Sequence, residues 1–226
     1  LRLFQSGLAA QVSWLLPFGL IALGALAWRV WRDRSGVPDP RRDHLRRAAL
    51  LWGGWLMTGA VFFSVAQFFH QYYLTMLGAP LAAIVAVGFS LLWSWRSADA
   101  GRFIAVLGAA ALATLIFQTY AASVYGQYGL WLGVPFALVL AGMAAAMTGV
   151  RSMRSRLAGL GVAGVAVGLV IVPFVWSTLT MLYVTENGGL PQAYGAVVDP
   201  AFGARPPRAR PRGAARRRSS PGARTR

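Results

Sequence analysis

The chain has 226 residues, of which 57% are hydrophobic and only 12% charged, about half the charged share of a soluble globular domain. Its 22 basic residues are all arginine, against six carboxylates, and it has no cysteine, which excludes disulfides, thiolate metal sites and cysteine nucleophiles. Asp33, Asp39, Asp43, Asp99, Glu186 and Asp199 all fall between or beyond long apolar runs, which excludes a soluble domain with charged outer helix faces.

An apolar run of about 20 residues crosses a hydrocarbon core about 30 Å thick. Six runs qualify, at about 13–28, 48–69, 72–93, 103–123, 130–150 and 157–184. In lipid every backbone N–H and C=O needs an internal partner, so single runs of this length are helices. The expected fold is all-α, a polytopic membrane protein of about six transmembrane helices followed by a disordered carboxy-terminal tail.

The first run is short and carries Trp14 and Pro17. Behind it comes a connection with Arg29, Arg32, Arg34, Arg41, Arg42, Arg46 and Arg47. The second and third runs meet at the tight turn Gln67-Phe68-Phe69-His70-Gln71-Tyr72-Tyr73, which has no arginine. Arg96 and Arg102 separate the third run from the fourth, no arginine separates the fourth from the fifth, and Arg151, Arg154 and Arg156 precede the sixth. Arginine in alternate short connections places those loops in the cytoplasm. Both ends of the segment and the His70 turn are then extracytoplasmic, an arrangement expected of the carboxy-terminal part of a longer membrane protein. Pro17, Pro80, Pro135 and Pro173 lie in the runs and are expected to kink their helices.

Residues 185–226 change character. From Gly203 onward the chain has nine arginines and no apolar side chain larger than alanine, so it cannot bury a core. An extracytoplasmic place for it leaves no nucleic acid expected as a partner. A shifted reading frame of GC-rich DNA accounts for this tail as well as a native one does, and is the reading favoured.

Gly159-Leu160-Gly161-Val162-Ala163-Gly164 has the letters of a dinucleotide fingerprint but no strand ahead of it. Inside an apolar run these glycines read as close helix packing, continued by Gly168. No cluster of metal-ligating residues stands out, and neither metal nor cofactor is evident. The membrane runs hold no ionisable group, which counts against a pump or proton-coupled transporter. Gln67, His70, Gln71, Tyr72 and Tyr73 gather hydrogen-bonding groups at headgroup depth. They fit an interfacial anchor or a binding site for a lipid phosphate.

Three stretches resemble a known family. Arg2-Leu3-Phe4 with Gln11-Val12-Ser13-Trp14-Leu15-Leu16-Pro17, then Leu51-Trp52-Gly53-Gly54-Trp55 leading to Phe69-His70-Gln71-Tyr72-Tyr73 and Pro80, and more weakly Thr185-Glu186-Asn187-Gly188-Gly189-Leu190-Pro191, are similar to bacterial polyprenyl-phosphate-dependent glycosyltransferases. These are protein-mannosyltransferase and aminoarabinose-transferase relatives of the GT-C fold, in the YkcA/YkcB-like branch. Gln71 stands where that pattern has proline. The resemblance implies transfer of a sugar from a polyprenyl-phosphate donor to an extracytoplasmic acceptor. It also implies that the catalytic acidic loop belongs to an amino-terminal half of the same enzyme, so no catalytic residue is expected in this chain. His70, Tyr72 and Tyr73, with Gln67, Arg2 and Gln11 behind them, are the implied contacts to the donor's lipid phosphate and sugar. The expected partners are membrane lipid, the polyprenyl-phosphate-linked sugar and that amino-terminal half. The expected location is the cell membrane. A non-catalytic membrane scaffold or lipid-binding subunit is the alternative.

Overall fold

A computed structural model describes residues 2–4, 8–32, 40–66, 71–124 and 129–183. The expected tail at 185–226 lies outside the described residues. Those described form helices joined by short turns: α1 (Ala9–Val12), α2 (Leu16–Arg32), α3 (Pro40–Ala48), α4 (Gly54–Val65), α5 (Gly78–Trp95), α6 (Ala100–Val124), α7 (Gly133–Arg151) and α8 (Ser155–Tyr183). Among the described residues there is no strand. Among the described residues six helical stretches are long and apolar enough to cross a membrane: Ser13–Arg32, Asp43–Val65, Tyr73–Trp95, Ala100–Val124, Leu130–Arg151 and Ser155–Leu182. This is a multi-pass membrane protein.

The helix ends refine the sequence reading. α2 runs past Trp28 to Arg32, because arginine and tryptophan can stay helical at the interface while their polar ends reach out of the apolar layer. α3 and α4 join through a π-helical turn at Ala49–Gly53. Of the four prolines expected as kinks, only Pro173 interrupts a helix. Pro17, Pro80 and Pro135 fall within the first three residues of α2, α5 and α7. Each stands where a 3-10 turn, Ser13–Leu15, Gln71–Leu77 or Leu130–Leu132, passes into the α-helix, at the start of the α-helical ladder, where proline is favoured.

The core is built on α6, whose buried residues Phe103, Leu107, Ala110, Thr114, Leu115, Gln118 and Ala121 recur at helical spacing down one face. α2 and α5 pack against it and against each other. Gly88 of α5 lets Ala22 of α2 approach its backbone, and one step along the pair Phe18 stacks on Phe89 with ring centroids 4.5 Å apart.

α7 and α8 form an antiparallel hairpin packed along most of its length. A Cβ on Gly142 would lie 2.6 Å from the Gly161 carbonyl oxygen and 2.7 Å from the Val165 nitrogen, so the two backbones touch with no room for a side chain. Gly161 and Gly164 of the fingerprint-like run both face this seam, and Gly168 continues it towards Pro135 and Val139. These glycines are a helix-packing surface.

The turn between α7 and α8 closes with Arg154 N–H donating to the Gly149 carbonyl at 2.8 Å and Met153 N–H to that of Val150 at 3.3 Å. This is the pattern that usually puts glycine in the left-handed position. Here that position is Met153, with φ of 57°.

All the described arginines of the connections gather at one end of the bundle. Trp28 of α2 meets Trp95 of α5 edge-on at 5.9 Å. The Arg102 guanidinium lies 4.7 Å from the Trp28 ring and that of Arg32 lies 5.3 Å from it, while Arg96 covers Trp93 at 4.1 Å. Asp99 accepts the Arg102 backbone N–H at 2.9 Å, capping α6, and its other oxygen pairs with the Arg102 guanidinium at 3.0 Å.

Candidate functional site

At the opposite end the chain leaves α4 and returns through a 3-10 turn, Gln71–Leu77, that leads into α5. With three residues per turn, side chains at i and i+3 share a face. Leu74 and Leu77 are fully buried, whereas Tyr73 and Met76 are exposed. Gly59 of α4 makes room for the Leu77 side chain, so the turn is held down by leucines and offers Tyr73 outward.

Two other short pieces pack into the same corner. Arg2–Phe4 forms a 3-10 turn against α4, and α1, which carries Gln11, lies against Gln71–Leu77. The amino-terminal piece is pinned by three contacts. Leu3 is fully buried, the Ser13 hydroxyl donates to the Leu3 carbonyl at 2.9 Å, and Phe4 meets Phe117 of α6 edge-on at 5.1 Å.

The structure therefore brings together the segments that carry Arg2, Gln11, Tyr72 and Tyr73. Gln11 is half-buried and Tyr73 exposed. Gln67 and His70 lie outside the described residues. The two described carboxylates, Asp43 and Asp99, both belong to the arginine-bearing end, and among the described residues no group of three His, Cys, Asp or Glu could hold a metal.

Beneath this corner is a feature that the sequence reading did not single out. Ser13, Thr114 and Gln118 are polar and fully buried. Thr114 donates to the Ala110 carbonyl of its own helix at 2.7 Å. Gln118 instead reaches out of α6: its Nε2 donates to the Trp14 carbonyl at 3.1 Å and to the Leu169 carbonyl of α8 at 2.9 Å. Both partners are acceptors, so the amide must present its NH2 to them. Its Oε1 is buried with no hydrogen-bond partner among the described residues. Beside this amide the Trp14 and Trp176 rings pack 4.8 Å apart, in a small cluster with Phe117, Ala121 and Val172. The signal in the sequence is faint: a lone glutamine in an apolar run, and a proline in another run 55 residues further on.

No protein-family model matches the chain, and no solved structure matches it. Among curated proteins it is 37% identical over 197 residues to "Putative mannosyltransferase YycA" of Bacillus subtilis (strain 168), an overlap of 85% of this chain and 27% of the relative. It is 34% identical over 199 residues to "Putative mannosyltransferase YkcB" of the same organism, covering 85% of this chain and 26% of that protein. The chain thus spans about a quarter of the length of these relatives. Over most of its length, then, this chain is similar to a part of two proteins named as putative mannosyltransferases.

Proposed function

We propose that this chain supplies the donor-lipid side of a polyprenyl-phosphate-dependent glycosyltransferase of the GT-C fold, and that it is the carboxy-terminal part of that enzyme. The observation that carries the reading is the corner in which α1, with Gln11, packs against the turn that bears Tyr72 and Tyr73. Two segments that the family resemblance singles out, about 60 positions apart in the sequence, pack together at one end of the bundle. That end is opposite the arginine-bearing one. With arginine-rich loops in the cytoplasm, the corner faces the outer leaflet of the cell membrane, where a lipid-carried sugar presents its phosphate.

Transfer requires a general base to activate the acceptor hydroxyl and polar or cationic groups to stabilise charge on the departing lipid phosphate. Arg2, Gln11, Gln67, His70, Tyr72 and Tyr73 carry side chains of the kind that suits the second task. The first needs a carboxylate, and Asp43 and Asp99 stand at the wrong end. The base is assigned to a part of the enzyme outside this chain, in keeping with relatives more than three times as long. Mannose is the sugar that the relatives' names suggest.

The test uses the enzyme with all its parts. Replacing His70→Ala together with Tyr73→Phe lowers transfer from polyprenyl-phosphate-linked mannose by at least about tenfold, the scale of losing one or two charge-stabilising contacts, and leaves the amount inserted in the membrane unchanged. Full transfer by that double variant would remove the corner from the reaction.

A further inference from the structure

In α8 the carbonyl of Leu169 would receive the N–H of residue 173, four positions on. Residue 173 is Pro173, inside the helix, and it has no N–H to give. In water such a freed carbonyl is hydrated. In the apolar layer it has to find a donor from a neighbouring helix. That donor is Gln118 Nε2 at 2.9 Å, and the second hydrogen of the same NH2 group goes to the Trp14 carbonyl at 3.1 Å. Trp14 sits in the 3-10 turn Ser13–Leu15. The residue three positions beyond it, which would donate in a continued 3-10 turn, is again a proline, Pro17.

We propose that Gln118 is a positioning residue: its amide stands in for a backbone N–H that Pro173 lacks and, with the same nitrogen, fixes the amino-terminal segment bearing Arg2 and Gln11 between α6 and α8. Three elements far apart in sequence, separated by 104 and 51 positions, meet on one nitrogen. The burial of Oε1 without a partner fits this role. A glutamine kept only to fill space would be replaced at less cost by leucine or methionine, since an unpaired buried acceptor is unfavourable. The Ser13 bond to Leu3 and the Trp14–Trp176 contact extend the attachment on either side, so the candidate donor corner is held from below by α8, which contributes no residue to it.

The role in positioning the corner rests on the proposed donor site; the bond to the Pro173-freed carbonyl does not. The test is a double-substitution cycle on the full chain in lipid nanodiscs. Gln118→Met lowers the unfolding midpoint by about 4 °C. In a Pro173→Ala background, where residue 173 donates to Leu169 from within α8, the same substitution lowers it by half of that or less. If Gln118→Met alone does not fold, adding Pro173→Ala restores folding. Equal loss in both backgrounds, or no restoration, overturns the proposal.

A second measurement reads position. Well below the midpoint, uptake of polyprenyl-phosphate-linked mannose, followed by native mass spectrometry, weakens about tenfold in Gln118→Met and stays weakened in the double variant, whose stability is restored while the Trp14 carbonyl still lacks its donor, a split that a purely stabilising residue would not produce. Coupled stability with unchanged uptake overturns the positioning role. If the unsubstituted chain takes up no lipid-linked sugar, the donor-site reading fails and the stability cycle alone decides whether Gln118 serves the carbonyl freed by Pro173.

Discussion

At the arginine-bearing end, Arg32, Arg96 and Arg102 lie over tryptophan rings, and the Arg102–Asp99 ion pair joins charges that are both more than a third exposed. At the other end, Ser13 and Gln118 are fully buried and bond to backbone carbonyls of distant segments, with Trp14 and Trp176 packed beside them. Water and salt compete with the first set of contacts and not with the second. One end is held by interactions that can be exchanged, the other by interactions that have no substitute in the apolar layer. A corner proposed to hold a charged lipid headgroup is steadied from the side where its support is hardest to disturb.

This contrast can be broken at either end. The largest effect belongs to Trp176→Ala, which empties a fully buried site beside Trp14 and lowers stability by about 3 kcal/mol; thermal unfolding in detergent or nanodiscs measures it, and a change below about 1 kcal/mol would mean that the aromatic cluster is not what holds α8. A gain of about 1 kcal/mol is expected at the arginine-bearing end from Met153→Gly, because Met153 occupies a left-handed position that penalises a Cβ and its side chain is 88% exposed. The smallest is Arg102→Gln, at about 0.5 kcal/mol, since exposed ion pairs and cation–π contacts are individually weak. That small loss shrinks further as salt rises, whereas the loss in Trp176→Ala does not. Equal salt response in the two variants would erase the distinction between the ends.

Much of the fold was legible in the sequence, for a reason specific to membranes. Runs such as 103–123 and 157–184 have only one way to satisfy their backbone in lipid, so their length and composition decide their structure. The glycines at 159–164 were legible for a related reason: no strand precedes them, which leaves packing as their use. Boundaries were harder. α2 extends to Arg32 because a hydropathy limit stops at the first arginine, and a helix does not. The prolines misled because position within a helix, not presence in an apolar run, decides whether one kinks; Pro80 and Pro135 sit in first turns.

For the candidate site, the family resemblance marked the corner, and the structure adds the packing of α1 against the Tyr73 turn. Gln118 could not be found that way. Its partners are two carbonyls, and main-chain atoms leave no letter in a sequence. The one trace is Pro173, which says that Leu169 needs a donor and not where the donor comes from.

The seam between α7 and α8 has a consequence for how this chain can vary. Where backbone lies on backbone at Gly142 and Gly161, no other residue type can be accommodated, and the pair moves as one beam. On the outer faces, Leu140, Leu160, Val167 and Phe174 are exposed and are not wedged against a neighbouring helix of this chain. Substitutions in this hairpin should therefore fall into two sharply separated groups, intolerant along a strip one atom wide and nearly indifferent a quarter-turn away.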